Sequence, residues 1–191
     1  TSVEFTQNGL DVYYGNPSNI ISYPTNITTL LSVNYYDEYP TGTTYLPTTI
    51  ESQTVNSKTS QGTTSNANAK ISTKGLPLAS FVKNIEDNGW TKTYTYYDLK
   101  ARPIGTHSDN YLGGYTRTAT KLTFSGKPEY TITYHKKADR SDMVTIKETF
   151  EYDNQERLVK HWHQVNNTGN NELLAENIYN EIGQLQSKKV G

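Results

Sequence analysis

Polar and apolar residues alternate along much of this chain. In "DMVTIKETFEYD" Val144, Ile146, Phe150 and Tyr152 fall on one face at period two. Met143, Thr145, Lys147, Thr149 and Glu151 fall on the other, and Glu148 is the one discordant residue on the apolar side. That period belongs to an antiparallel strand with one face packed and one wet. "YTITYH" sets Tyr130, Ile132 and Tyr134 against Thr131 and Thr133, and "TKTYTYYD" repeats the alternation with Tyr94 and Tyr96. Nearer the start, Val3–Thr6, Leu10–Tyr14 and Leu30–Tyr36 read as short strands, separated by turn residues such as Asn8-Gly9 and Gly15-Asn16-Pro17. Residues 51–75 are dominated by Ser, Thr, Asn and Gln. Such a stretch buries too little apolar surface to offset its ordering entropy, so most of it is expected to be a mobile loop, with Val55 and Ile71 marking strand ends.

A second pattern lies on top of the alternation. Tyr97-Asp98-Leu99-Lys100-Ala101-Arg102-Pro103 and Tyr152-Asp153-Asn154-Gln155-Glu156-Arg157-Leu158 both read Y-D-x-x-x-R-[LP]. Tyr179-Asn180-Glu181-Ile182-Gly183-Gln184-Leu185 is a variant, and Phe124-Ser125-Gly126-Lys127-Pro128 reads as a contracted one. The aromatic anchors at 97, 124, 152 and 179 are 27, 28 and 27 apart, a spacing that signals a repeat architecture. Each unit reads as a hairpin. A strand ends on an aromatic, Asp or Asn accepts from the backbone of the turn, Gly eases a left-handed residue, and Arg or Gln opens the returning strand. A lone hairpin is marginal in water, so the units are expected to stack. "NELLAENIYN" has helical propensity, but Tyr179 falls on the beat and assigns Leu173–Ile178 to a strand.

These residues resemble the YD repeat of RHS (rearrangement-hotspot) proteins, whose core reads roughly Y-x-Y-D-x-x-G-R-L. Residues 94–103, 150–158 and 177–185 carry the resemblance best, and it extends over about residues 76–191. The flanking sequence is similar, more narrowly, to RHS proteins of Bacteroidota such as flavobacteria. Over 1–50 only "SVNYYDEYPTG" looks like a degenerate copy. Ala101 and Glu156 stand where the family has glycine. A non-Gly residue in the left-handed region costs on the order of 1 kcal/mol, so those two turns are expected to take another geometry.

The resemblance implies an all-β fold in which antiparallel hairpin repeats extend one curved sheet, a segment of a hollow shell. Residues 1–50 would be a degenerate hairpin region, 51–75 the polar loop and 76–191 the repeats. It implies a non-enzymatic scaffold segment of a large bacterial protein, secreted or at the cell surface. Its partners would be further repeats of the parent chain, an enclosed C-terminal toxin or effector, or secretion machinery. No toxin domain and no self-cleavage segment is recognisable. The chain starts "TSVEFTQNG", without Met or signal peptide, and ends "SKKVG" straight after a strand-like run, so a fragment of something longer is expected.

Composition narrows the alternatives. Only 33% of residues are apolar and mean hydropathy is −0.77, so the core must be thin or sheet-like. There are 16 Tyr against 4 Phe and 2 Trp, and Tyr suits a pleated surface that is part buried and part wet. With 18 basic and 19 acidic residues, no basic surplus favours nucleic acid. No apolar run is long enough for a membrane-spanning helix, so no membrane insertion is expected. The absence of Cys excludes disulfides and thiol chemistry.

Catalytic patterns are weak. His161 and His163 would share a strand face, a workable metal-ligand spacing, with His107, His135, Asp109, Asp139 or Glu148 as further ligands. The plainer reading lines both imidazoles on the solvent face while Trp162 packs inward. Glu86-Asp87, Asp37-Glu38 and Glu151/Asp153 read as solvated turn acids rather than a glycosidase pair. Neither a phosphate loop nor a G-x-S-x-G elbow is present. No cofactor is expected. Trp90 and Trp162 are the candidates for stacking on sugar rings, which makes a carbohydrate-binding or adhesive surface module the alternative function.

Overall fold

The computed structural model describes residues 5–12, 27–57, 72–110, 112–168 and 170–191. Val3, the turn at Gly15-Asn16-Pro17, Ile71 and the stretch 58–71 lie outside the described residues. The described chain is all-β. Its strands are β1 (Phe5–Gln7), β2 (Leu10–Val12), β3 (Ser32–Tyr36), β4 (Thr49–Ile50), β5 (Gln53–Thr54), β6 (Pro77–Lys83) and β7 (Trp90–Tyr97). They continue as β8 (Pro103–Asp109), β9 (Tyr115–Leu122), β10 (Pro128–Lys136), β11 (Met143–Tyr152), β12 (Leu158–Val165), β13 (Glu172–Tyr179) and β14 (Leu185–Val190). A ten-stranded antiparallel sheet runs in the order β14-β13-β12-β11-β10-β9-β8-β7-β6-β3. From β6 to β14 neighbours in sequence are neighbours in space, as short hairpin turns require. The ambiguous "NELLAENIYN" supplies β13.

Cross-strand register sorts the residues by face. On one face Tyr94 lies opposite His107, Tyr96 opposite Gly105, and Gly105 opposite Ala119. On the reverse face Thr95, Thr106, Thr118 and Thr133 line up across successive strands. Hydroxyls on this face pair directly: Thr106 Oγ1 lies 2.8 Å from Thr118 Oγ1, and Thr120 Oγ1 lies 3.1 Å from Thr131 Oγ1.

The aromatic face is covered by a lid that the sequence does not announce. Residues 38–57 leave the end of β3, cross the sheet and fold back through the β4–β5 ladder. Tyr39 donates its hydroxyl to the Thr95 carbonyl (2.8 Å), and Tyr96 donates to the Tyr45 carbonyl. The Gln53 side-chain amide donates to the Thr120 carbonyl (2.8 Å) and accepts from Leu122 N–H (3.1 Å), standing in for a strand on the flank of β9. Tyr130 donates to Glu51 Oε2 (2.7 Å). Under this lid and the β1–β2 hairpin sits the core of Leu10, Val12, Ile50, Val55, Ala79, Phe81, Tyr94, Tyr96, Ile104 and Ala119. Ile50 descends so closely that a Cβ on Gly105 would meet its Cδ1 at 2.8 Å and the Thr118 carbonyl at 2.7 Å, so only glycine fits there.

The expected loop at 51–75 is therefore corrected over its described start. Gln53–Thr54 is a strand, and Val55 and Asn56 are buried. The segment gains order from side-chain amides and hydroxyls that meet the sheet, not from an apolar run.

Past β10 the sheet is bare. All the buried residues precede position 120. The apolar face also changes sides here: Ile132 lies opposite Lys147, and Thr133 opposite Ile146. Val144, Ile146 and Phe150 thus continue the hydroxyl face, whereas Lys147, Thr149 and Glu151 continue the aromatic one.

Candidate functional site

Along one rim the strands turn at corners built on one plan. At Asp98 the backbone N–H donates to the Arg102 carbonyl (2.9 Å), and Ala101 N–H donates back to the Asp98 carbonyl (3.0 Å). The same pair of bonds closes Thr123–Lys127, Asp153–Arg157 and Asn180–Gln184, and also Asn110–Gly114 at the opposite rim. The fourth residue of each corner has positive φ: Ala101 at 60°, Gly126 at 95°, Glu156 at 60°, Gly183 at 82° and Gly113 at 79°. This is a three-residue hairpin loop with a left-handed residue closing a G1 bulge. Ala101 and Glu156 therefore keep the common geometry, which corrects the expectation of a different one.

The first side chain of each corner holds the loop. Asp98 Oδ1 accepts from Lys100 N–H (2.8 Å) and Arg102 N–H (2.9 Å), while Oδ2 accepts from Arg102 Nε (2.7 Å). Asp153 does the same with Gln155 N–H (2.9 Å), Arg157 N–H (2.9 Å) and Arg157 Nε (2.7 Å). Asn180 Oδ1 accepts from Gln184 N–H (2.8 Å), and Thr123 Oγ1 from Lys127 N–H (3.1 Å). Burial pushes the Asp98 carboxyl up, but the Arg102 and Lys100 donors and the Arg102 charge outweigh it, and its pKa lies below the usual range. Asp153 is also lowered, first by the Arg157 backbone donor and further by its guanidinium, against a smaller push from burial.

Corners are linked to one another by the residues on either side of that loop. The tyrosine before each acid reaches back to the preceding hairpin: Tyr97 Oη donates to the Pro77 carbonyl (3.0 Å), Tyr152 Oη to Pro128 (2.9 Å) and Tyr179 Oη to Leu158 (3.0 Å). Burial raises the Tyr97 and Tyr152 hydroxyls above their ordinary value, so they stay protonated donors. The cation that ends each loop reaches forward. Arg157 lies 4.4 Å from the Tyr179 ring centroid, Lys127 Nζ lies 5.4 Å from that of Tyr152, and Arg102 Nη1 donates to the Phe124 carbonyl (3.4 Å).

This forward reach meets the glycine of two corners. A Cβ on Gly126 would sit 3.2 Å from Arg102 Nη1, and one on Gly183 would sit 3.1 Å from Arg157 Nη1. Glu156 follows a lysine instead, and its carboxylate pairs with Lys127 Nζ at 3.3 Å. Ala101 follows Leu76, which carries no cation. At Gly126 and Gly183 a side chain would crowd the arginine that lies over the turn, whereas no arginine lies over Ala101 or Glu156.

Phe124 does not occupy the anchor position. Thr123 is the corner residue, so Leu122 stands where Tyr97, Tyr152 and Tyr179 stand, and Phe124 projects from the loop at 94% exposure. The corner residues 98, 123, 153 and 180 are 25, 30 and 27 apart, because the connecting strands differ in length. Matching Gly126-Lys127-Pro128 to Ala101-Arg102-Pro103, rather than counting from aromatics, recovers this register.

One corner was read only by its first half, the degenerate copy "SVNYYDEYPTG". Asp37 N–H donates to the Leu76 carbonyl (3.3 Å), and Asp37 Oδ1 accepts from Gly75 N–H (2.5 Å). Tyr36-Asp37 and Gly75-Leu76-Pro77 are thus the two halves of a corner split by residues 38–74, which include the lid. The likeness of Gly75-Leu76-Pro77 to Ala101-Arg102-Pro103 was the available signal.

The other candidate residues serve the framework. His161 Nε2 lies 2.9 Å from Glu148 Oε1, and its ring stacks on Phe150 at 4.7 Å; His163 Nδ1 is 4.0 Å from Glu172. Among the described residues no cluster of three or more His, Asp or Glu is arranged to hold a metal ion. His107 is buried beside Asp109 (2.9 Å), on the face opposite His135. Asp87 accepts from Gly89 N–H (2.6 Å) and caps the β6–β7 turn. Trp90 packs against the core, and the Trp162 indole N–H donates to Glu151 (2.6 Å) on the face with Lys147, not in an apolar interior. The chain matches no protein-family model, no curated protein and no solved structure.

Proposed function

We propose that this chain is a non-enzymatic scaffold: a wall segment of a large secreted or surface-exposed bacterial protein of the RHS/YD-repeat kind, in which hairpins stack to enclose or present an effector domain. The observation that carries this reading is the linkage of three of the corners to the hairpin before them, the Tyr97, Tyr152 and Tyr179 hydroxyls each tied to the carbonyl that opens the preceding return strand. A linkage that repeats unit by unit propagates a sheet of any length, which is what an enclosing wall needs. The acids and histidines near the corners and strands are engaged in turn caps and cross-strand pairs, and that supports a load-carrying role over a chemical one.

The test is protease protection in the parent polypeptide that carries this chain. The companion domain should resist digestion in the native parent and become cleavable when Asp98 and Asp153 are both replaced by Ala. A companion domain equally sensitive in both forms would refute enclosure.

A further inference from the structure

Between the corners at Asp98 and Thr123 the sheet parts. The β8–β9 ladder ends where Gly105 lies opposite Ala119, and beyond it the Thr120 carbonyl and the Leu122 N–H are taken by the Gln53 side chain instead of by β8. The strands diverge around a cleft of about 350 Å³ that opens on the hydroxyl face. Thr106, Thr118, Thr120 and Thr131 line it, and Pro103, Leu122 and Pro128 give it apolar patches. Arg102 closes the rim end, where its Nη1 reaches the Phe124 carbonyl (3.4 Å).

Among the described residues no acid lines the cleft, and its one cation, Arg102, is already paired with Asp98 through Nε (2.7 Å) and Nη2 (2.6 Å). The face around it repeats the same chemistry. A hydroxyl residue, a spacer and a second hydroxyl residue start at 93, 106, 116 and 131, one copy on each of β7, β8, β9 and β10, although 19% of the chain is charged. Register sets the copies side by side, with Thr93 opposite Ser108 and Thr118 opposite both Thr106 and Thr133. The cleft hydroxyls keep bonding capacity. Thr106–Thr118 and Thr120–Thr131 each use one O–H within the pair, which leaves one O–H and spare lone pairs in each, even with Thr106 N–H on Thr118 Oγ1.

We infer that this cleft binds a single neutral sugar ring. Ring hydroxyls both donate and accept, as the four threonines do, while ring C–H groups fit against Pro103, Leu122 and Pro128. An anion would meet only the paired Arg102, and an apolar ligand would bury the free hydroxyl groups without partners. The volume lies at the small end of ligand pockets, enough for one ring rather than a chain of them. The lining has no aromatic ring among the described residues, so the affinity is weak, in the millimolar range. Such a cleft sits in a wall segment as readily as in any other sheet, and its fate is separate from that of the scaffold reading.

Amide nuclear magnetic resonance of the full chain, titrated with D-glucose and with D-galactose, tests this. At least one of the two sugars should shift the backbone amide signals of Thr106, Thr118, Thr120 and Thr131 and saturate at millimolar concentration. Thr131→Val keeps the shape and the strand propensity but loses a hydroxyl, and should weaken binding by about tenfold. Thr93→Val, on the same face outside the cleft, should bind as the wild type does. The dispersion of the same spectra reports whether each variant keeps its sheet, and Thr120→Val replaces Thr131→Val if that variant does not. Cleft signals unmoved by both sugars, wild-type binding by the cleft variant, equal weakening by Thr93→Val, or tighter binding of glucuronate than of either neutral sugar overturns the proposal.

Discussion

The strands β6–β9 and the strands β11–β14 share one ladder and one kind of corner, yet they are stabilised differently. The first group lies under the lid and holds Tyr94, Tyr96 and Ile104 with no exposed surface. The second has solvent on both faces and no buried residue. There, cohesion comes from neighbours across the ladder: Lys147 over Tyr130 (4.8 Å), Phe150 against His161, and Lys189 paired with Glu176 (3.2 Å). Cross-strand pairs contribute only about 0.2–1 kcal/mol each. Repetition of a corner is thus enough to propagate a sheet, and a core is a local addition made where the chain can spare a lid.

The sharpest way to break that comparison is to empty one aromatic position in each half. Tyr96→Ala removes a ring packed against Tyr39 and Tyr45 and should cost about 4 kcal/mol in chemical denaturation, whereas Phe150→Ala on the bare half should cost about 1 kcal/mol. Equal losses would mean that the lid contributes little. Next come the corners. Asp98→Ala leaves Arg102 unpaired and should cost about 3 kcal/mol, and Asp153→Ala should act in the same direction but less, because its side chain is 24% exposed against 9% for Asp98.

Smaller still are the left-handed residues. Gly183→Ala should destabilise by about 1 kcal/mol, while Ala101→Gly should stabilise by about 0.5 kcal/mol, both read as midpoint shifts in urea. The gentlest probe is acid. Asp98 and Asp153 have lowered pKa values in the folded chain, so their stabilisation is complete above the ordinary carboxylate pKa of about 3.9 and fades as pH falls through the depressed values. An acid titration of Asp153→Asn followed by circular dichroism should show a flatter decline than the wild type. Parallel slopes would mean that Asp153 does not contribute to the pH dependence.

The strands were legible because their physics is local. A period of two survives in β10 and β11 whatever covers them, and the Y-D pairs of the 98 and 153 corners and the Y-N pair of the 180 corner announce loops whose bonds run within five residues. Phe124 misled because an aromatic in a loop looks the same in sequence as one ending a strand. Ala101 and Glu156 misled because the strain of one left-handed residue is smaller than the gain from closing the loop. The lid was illegible for another reason. Tyr39, Gln53 and Asn56 bond to backbone groups about forty to seventy positions away, and nothing in their immediate neighbourhood encodes that destination.

The split corner at Asp37 has an engineering consequence. A hairpin turn that closes normally with residues 38–74 spliced into it shows that the rim can take extra polypeptide without disturbing strand register. Lengthening a connection from three residues to that size costs only about 2 kcal/mol of closure entropy. The tip between Asn154 and Gln155, exposed and on the same plan, is then a natural port for grafting a guest peptide, displayed at a fixed station along the rim.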